Sequence, residues 1–361
     1  MNSPLTIVGG SLSGLSCALA LSAKGFATRV LERAPGSPVE GAGLGVELSL
    51  LGRVTGRPER LGQLAVLHDR PRDSVAYHDI RVWMRALVIE DPLIDLDEHA
   101  DVLAAADSEH GAHITTKDGD QSAALVIGAD GVRSTVRHSV DLQNPVSRYA
   151  GYVLWRSLVE EHDVPEASRL LPAEDTMRIN SSARYRLVAY AVPGGDGSVS
   201  PGHRRLSVAW YDASRNEQLA QLGVIDGHTT HGSLYPDRLP AELREQLRTD
   251  AAVWPAPWDE AIDRALDLQR LFGFPIAEYL PERLTRGRLA IIGDAAHAAS
   301  PMTGSGFHNA LLDADALAGA IASHGPTPAA LRAYQGARLS DARALVLSGQ
   351  AWGQSYLRSQ P

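Results

Sequence analysis

The chain has 361 residues, enough for about two domains with a large core; its 44% hydrophobic and 21% charged residues describe an ordinary globular protein. A net charge of −9, with no stretch that gathers Lys and Arg, argues against nucleic acid or an anionic membrane as a partner. The single cysteine, Cys17, excludes an internal disulfide framework and a multi-cysteine metal site and fits a cytoplasmic setting, and no apolar run is long enough to span a membrane.

Leu5 to Val8 reads as a short buried strand, Leu15 to Lys24 has helical spacing closed by Gly25, and Thr28 to Glu32 reads as a second strand. With no secretion-type leader ahead of this unit, the functional core is expected to begin within the first residues. The connecting turn is Gly9-Gly10-Ser11-Leu12-Ser13-Gly14. Glycine there lets the backbone turn tightly and approach a pyrophosphate, which meets the free N–H groups of the helix N-terminus. Glu32 ends the second strand, where a carboxylate accepts hydrogen bonds from an adenosine ribose. Gly9, Ser11, Ser13, Gly14 and Glu32 are therefore the first candidate cofactor residues. Ser11 stands where the fingerprint has its second glycine and adds a side chain near the phosphate.

The next forty residues are rich in Gly, Pro and Arg and give no clear pattern. Arg81 to Ile89 has helical spacing, and the acidic stretch between Glu90 and Ala112 reads as a solvated face. Ala112 to Gly128 reads as a hairpin, His113 to Thr116 and Ala123 to Ile127 around Lys117-Asp118-Gly119-Asp120. Tyr152 to Leu158, Tyr185 to Val192 and Arg205 to Tyr211 predict an antiparallel sheet. A helix follows from Ala241 to Leu247, a buried strand from Leu289 to Ile292, and a long helical tail from Phe307. His228 and His231 have ligand-like spacing but no third ligand, so no metal is expected.

Two further motifs refine the nucleotide. One is Gly128-Ala129-Asp130-Gly131-Val132-Arg133-Ser134-Thr135-Val136-Arg137; the other is Gly293-Asp294-Ala295-Ala296-His297, followed by Pro301, Gly304 and Gly306. With the N-terminal turn, these resemble the three fingerprints of the para-hydroxybenzoate hydroxylase family of FAD-dependent aromatic monooxygenases. Tyr149-Ala150-Gly151-Tyr152 with Trp155-Arg156, and Ala189 to Gly194, resemble its dihydroxypyridine and urate hydroxylase branches.

The resemblance implies an α/β fold: a Rossmann-like FAD-binding domain (1–72, 100–148 and 284–361) interleaved with a β-rich antiparallel-sheet substrate domain (73–99 and 149–283), plus C-terminal helices. It implies that Asp294 binds the ribityl chain and that Gly304 and Gly306 open a helix whose N-terminus stabilises the reduced flavin anion. It assigns Asp130 to FAD and NAD(P)H, Arg81 to the FAD phosphates, Arg33 to the adenosine side and Pro301 to the substrate side of the flavin. His308 replaces a family asparagine and reads equally as a contact in the site or a helix cap. Gly41 to Arg70 resembles a shortened form of the segment covering the flavin. The implied reaction takes NAD(P)H and O2 through a flavin C4a-hydroperoxide to a hydroxylated ring. Pocket candidates from the β-rich part are Arg178, Tyr185, Tyr190 and Trp210; no catalytic base stands out. The protein is expected as a monomer or homodimer acting on a small aromatic substrate. The alternatives are an FAD-dependent oxidase or natural-product tailoring enzyme, and a non-catalytic nucleotide-binding protein.

Overall fold

The computed structural model describes residues 4–34, 43–68, 72–108, 111–165, 167–171, 177–182 and 184–359. Of the segment Gly41 to Arg70, both ends lie outside the described residues. Two sheets organise the chain. The first has six strands in the order Thr285–Arg286, Leu289–Ile291, Leu125–Gly128, Leu5–Val8, Thr28–Leu31 and Ile94–Asp97. All its pairings are parallel except that of the outermost Thr285–Arg286. A parallel sheet is covered on both faces, so its strands carry continuous apolar runs; Leu5–Val8 and Leu125–Gly128 are buried at every position. Helix Leu12–Ser22 is likewise buried almost all round, because Tyr77–Glu90 and Gly306–His324 both pack against it. Cys17 lies inside that helix with no exposure, and burial pushes its thiol far above the ordinary range, making it a core residue.

The second sheet has five antiparallel strands in the order Arg178–Ser181, Tyr185–Val192, Arg205–Asp212, Arg148–Glu160 and Phe272–Glu278. One face rests on an apolar core with Trp155, Leu187, Trp210, Trp254 and Trp258. The tryptophans of the Trp254 to Trp258 loop are thus core residues.

The C-terminal helix Pro328–Arg358 joins the two sheets. Thr327 caps its start, accepting a hydrogen bond from Ala330 N. Near that end the Tyr334 hydroxyl donates to the Ile291 carbonyl of the parallel sheet at 3.0 Å; six turns on, Tyr356 donates to the Tyr211 carbonyl of the antiparallel sheet at 2.9 Å. One rigid element therefore sets the separation of the two sheets.

Three expectations are corrected. Residues 77–97, grouped with the substrate domain on sequence, belong to the nucleotide layer: Ile94–Asp97 pairs with Thr28–Leu31, and Ile80, Met84 and Leu87 sit in the first core. The acidic stretch is not merely a solvated face. Its strand alternates Ile94 and Leu96 inward with Asp95 and Asp97, which both pair with Arg29. The expected hairpin is Gly111–Thr116 with Gly119–Ala123, in a three-stranded sheet with Val102–Ser108; Leu125–Gly128 has crossed into the parallel sheet. Among the described residues no group of His, Cys, Asp and Glu is placed to hold a metal, and no helix is long and apolar enough to cross a membrane.

Candidate active site

A cavity of about 600 Å³ lies between the glycine turn and the face of the antiparallel sheet opposite its tryptophan-rich core. Its first wall is built from sequence-distant pieces that need glycine to meet. A Cβ on Gly14 would stand 1.8 Å from the Gly9 carbonyl oxygen, and one on Gly293 would stand 2.2 Å from Ser13 Oγ. Both are closer than atoms can approach, so these glycines let the first helix, its turn and the Asp294 turn share one wall. Gly14→Ala is expected to displace the turn, costing about 1–3 kcal/mol of stability, together with most of the bound flavin; denaturant unfolding and the flavin-to-protein absorbance ratio measure the two effects.

Glu32 accepts hydrogen bonds from Gly10 N at 2.6 Å and Ala34 N at 2.8 Å. A carboxylate offers about four acceptor positions, so Glu32 pins the turn and retains capacity for ribose hydroxyls. Ser11 Oγ is hydrogen-bonded to the Tyr77 hydroxyl, and Ser11 and Ser13 both line the cavity. Arg33 is exposed directly after Glu32, and Arg81 is buried one helical turn beyond Tyr77.

Asp294 opens the short helix Asp294–His297 and presents its carboxylate to the cavity, where it is exposed. Desolvation by the surrounding protein raises its carboxyl above the ordinary range, against the opposing charges of His297, Arg137 and Arg156. Behind it lies a charged network. Asp313 accepts from His297 Nε2 at 2.6 Å, Arg338 Nε at 2.9 Å and Gly293 N at 3.0 Å, so the backbone just before Asp294 is fixed by a fully buried carboxylate. Pro301, Gly304 and Gly306 line the cavity beyond Asp294, and helix Gly306–His324 begins there with no side chain capping its first amides. Arg72 steadies this turn, donating to the Gly304 carbonyl at 2.7 Å.

Asp130 does something other than line this space. Its carboxylate accepts from Ser134 Oγ at 2.5 Å and from Thr135 N at 2.7 Å, closing its own turn. Arg137 then ties that turn to the Asp294 helix, donating to the Ala295 carbonyl at 3.0 Å, with its guanidinium 4.3 Å from the Tyr279 ring centroid. Arg133 donates to the His231 carbonyl.

The second wall is the sheet, where strand alternation decides which side chains arrive. Leu154 and Arg156, Val188 and Tyr190, and Ser207, Ala209 and Tyr211 face the cavity. Tyr190 is the one sheet candidate that the structure places there. Burial pushes its phenol up to about 12, against Arg156 and Ser207, so it is a neutral hydrogen-bonding group near pH 7.

Tyr185 and Trp210 lie on the opposite face, with their rings 5.2 Å apart in the core. Arg178 pairs across the strands with Ala189, on that same back face, and is exposed at the sheet edge; its neighbour Ile179 lines the cavity. His308 is also outside the lining. Its Nδ1 lies 3.6 Å from Glu47 Oε2, and burial and Arg72 lower its pKa. Arg156, Tyr211 and Arg72 line the cavity and are side chains that sequence reading did not single out. The only sequence signal at Arg156 is its place in the branch motif Trp155-Arg156, and one strand position separates Tyr211 from Trp210.

Residues 84–348 match the family model described as FAD binding domain. The chain is similar to the aurachin C monooxygenase/isomerase of Stigmatella aurantiaca, 26% identical over 96% of this chain and 88% of that protein. It is also similar to the 2,6-dihydroxypyridine 3-monooxygenase of Paenarthrobacter nicotinovorans, 25% identical over 95% of this chain and 88% of that one. A solved structure of 2,6-dihydroxypyridine-3-hydroxylase from Arthrobacter nicotinovorans superimposes with a TM-score of 0.82, at 22% identity, over 100% of this chain and 94% of its own. The cavity suits the cofactor these matches imply: tight turns at Gly9, Gly14 and Gly293 where a Cβ would clash, a carboxylate at Asp294 with no hydrogen-bond partner among the described residues, and two helix N-termini, at Leu12 and Gly306, without acidic side chains in their first turns. The chain belongs to the FAD-binding-domain family of flavoprotein monooxygenases, in which FAD is the cofactor and NAD(P)H the usual reductant.

Proposed function

We propose that this chain is a single-component flavin monooxygenase that hydroxylates a small aromatic or heteroaromatic ring, using NAD(P)H and O2. One observation carries this reading: a single cavity has the dinucleotide turn and Asp294 on one wall and a mostly apolar sheet face on the other. FAD, when bound, supplies the redox chemistry and the transfer of one oxygen atom from O2. The names of the relatives, which act on dihydroxypyridine and on aurachin, support a ring substrate.

In this reading the amides at the start of helix Leu12–Ser22 hold the pyrophosphate, with Gly9, Ser11, Ser13 and Gly14 shaping their approach. Glu32 takes the ribose, and Asp294 the ribityl hydroxyls. The amides following Gly304 and Gly306 face the electron-rich end of the flavin. Arg33 and Arg81 contribute to the adenosine and phosphate side, and Asp130 acts indirectly by shaping its turn. Leu154, Val188 and Ala209 exclude water from the reacting ring, and Tyr190 and Tyr211 hydrogen-bond to its substituents. Pro301 bounds the substrate side. We place the protein in the cytoplasm, as a monomer or homodimer.

The test is NAD(P)H oxidation by the FAD-loaded protein across phenols, hydroxypyridines and purines. A true substrate stimulates oxidation and gains one oxygen in mass. NAD(P)H consumption with hydrogen peroxide and no oxygenated product from any compound would favour an oxidase instead.

A further inference from the structure

Arg156 sits near the middle of strand Arg148–Glu160, opposite Ala209 on one neighbouring strand and Phe272 on the other, with its guanidinium in the cavity. Its guanidinium lies 5.7 Å from the Phe274 ring centroid, and no hydrogen bond or ion pair holds it among the described residues. Arginines elsewhere against the core are tied down: Arg204 to Glu161 at 2.7 Å, Arg215 to Asp212 at 3.0 Å and Arg338 to Asp313 at 2.9 Å. A guanidinium withdrawn from bulk water without a hydrogen-bonding partner is costly. Elsewhere the fold offsets that cost with an acid or, at buried Arg137, with backbone carbonyls, whereas Arg156 feels the charge of Asp294 across the cavity without a hydrogen bond to it.

The other charged groups lining the cavity, among the described residues, are Arg72 and Asp294. Arg72 is engaged with the Gly304 carbonyl, and Asp294 stands on the opposite wall. Tyr190 and Tyr211, which lie near Arg156, are kept protonated by burial. The sheet wall thus offers one cation flanked by neutral phenols and apolar side chains, and among the described residues that line the cavity there is no histidine to act as a base.

We infer that Arg156 recognises an oxyanion on the substrate, so that the enzyme acts on aromatic acids or on hydroxy-aromatics that bind ionised at the ring oxygen. This rests on the hydroxylase reading above. A guanidinium pairs with such an oxygen through charge-assisted hydrogen bonds, bidentate for a carboxylate. It also lowers the pKa of a ring hydroxyl beside it, which enriches the ring in electrons without a protein base. Met177 and Ile179, exposed at the edge of the sheet wall, leave an apolar margin beside the anion site for the rest of the molecule.

The test measures binding to FAD-loaded protein by flavin absorbance changes, without turnover. Benzoate and benzamide form one arm. In the second arm, 4-nitrophenol reports its own ionisation by colour. The wild type is expected to bind benzoate about 10- to 100-fold tighter than benzamide, or to hold 4-nitrophenol ionised at a pH below its value in water. Arg156→Gln is expected to abolish whichever preference exists, and Arg156→Lys to retain part of it. A benzoate preference identifies an aromatic acid, and a 4-nitrophenol shift identifies a ring oxyanion. Absence of both in the wild type overturns the inference. So does an Arg156→Gln protein that keeps the preference while losing FAD, because Arg156 would then serve the cofactor. Failure to find an oxygenated product sinks the hydroxylase reading but leaves this binding preference standing.

Discussion

Asp294→Ala is expected to emerge from purification nearly colourless. The carboxylate faces the cavity and accepts no hydrogen bond among the described residues, although the surrounding protein raises its pKa and so disfavours its charged form. Such a group is retained when a ligand supplies its partners, and vicinal hydroxyls on a flexible chain suit it. Hydrogen bonds to a charged acceptor contribute about 1.5–3 kcal/mol each, so losing even one weakens binding by roughly 10- to 150-fold. The apoprotein should remain folded, because no internal bond is cut. Equilibrium titration of FAD into the variant gives the dissociation constant directly. Affinity within threefold of wild type would remove Asp294 from the cofactor site.

Asp313→Ala should damage stability more than any other single change discussed here. It would leave His297 and Arg338, both buried, without their shared counter-charge, and would free the Gly293 amide. Breaking a buried pair from one side costs about 3–5 kcal/mol, a large part of the 5–15 kcal/mol that a folded domain has in total. Urea unfolding measures it, and a loss under about 1 kcal/mol would show the network to be dispensable. Since Gly293 precedes Asp294, flavin affinity should fall as well.

The same network predicts a pH window. Burial lowers the pKa of His297, but the charge and hydrogen bond of Asp313 outweigh it, and the net shift is upward. Burial raises the pKa of Asp313, but His297 and Arg338 outweigh that, and the net shift is downward. The histidine's contribution is complete below its unfolded value of 6.5 and fades as pH climbs through the raised folded value; the aspartate's is complete above 3.8 and fades as pH falls through the lowered one. The pair therefore stabilises fully between those ordinary values, and Asp313→Asn should flatten the stability profile on both sides.

What could be read from sequence follows the range of the interactions. The glycine turn, the Asp294 motif and the strand Tyr185–Val192 are local patterns, and each folds where its residues indicate. Which face of a strand meets the cavity is not local. Tyr185 and Tyr190 are five positions apart on one strand, hence on opposite faces, and both are aromatic with apolar neighbours. Only the packing of the second core behind the sheet decides that Tyr190 and Arg156 face the cavity while Tyr185 and Trp210 do not. Asp130 and His308 show a different gap: the resemblance implies a cofactor role for Asp130 and leaves His308 open between a site contact and a helix cap, yet Asp130 caps its own turn and His308 turns toward Glu47. The strand Ile94–Asp97 was legible in principle, since Ile94-Asp95-Leu96-Asp97 alternates, but its acids masked a pairing in which Arg29 neutralises them.

A crystal structure of the protein grown with FAD tests the account at its centre. The ring system should lie beside Asp294 and the start of helix Gly306–His324, with one face turned toward Arg156 and Tyr190 on the sheet. Flavin density outside that cleft, or a cleft still filled by ordered side chains at full FAD occupancy, would contradict it.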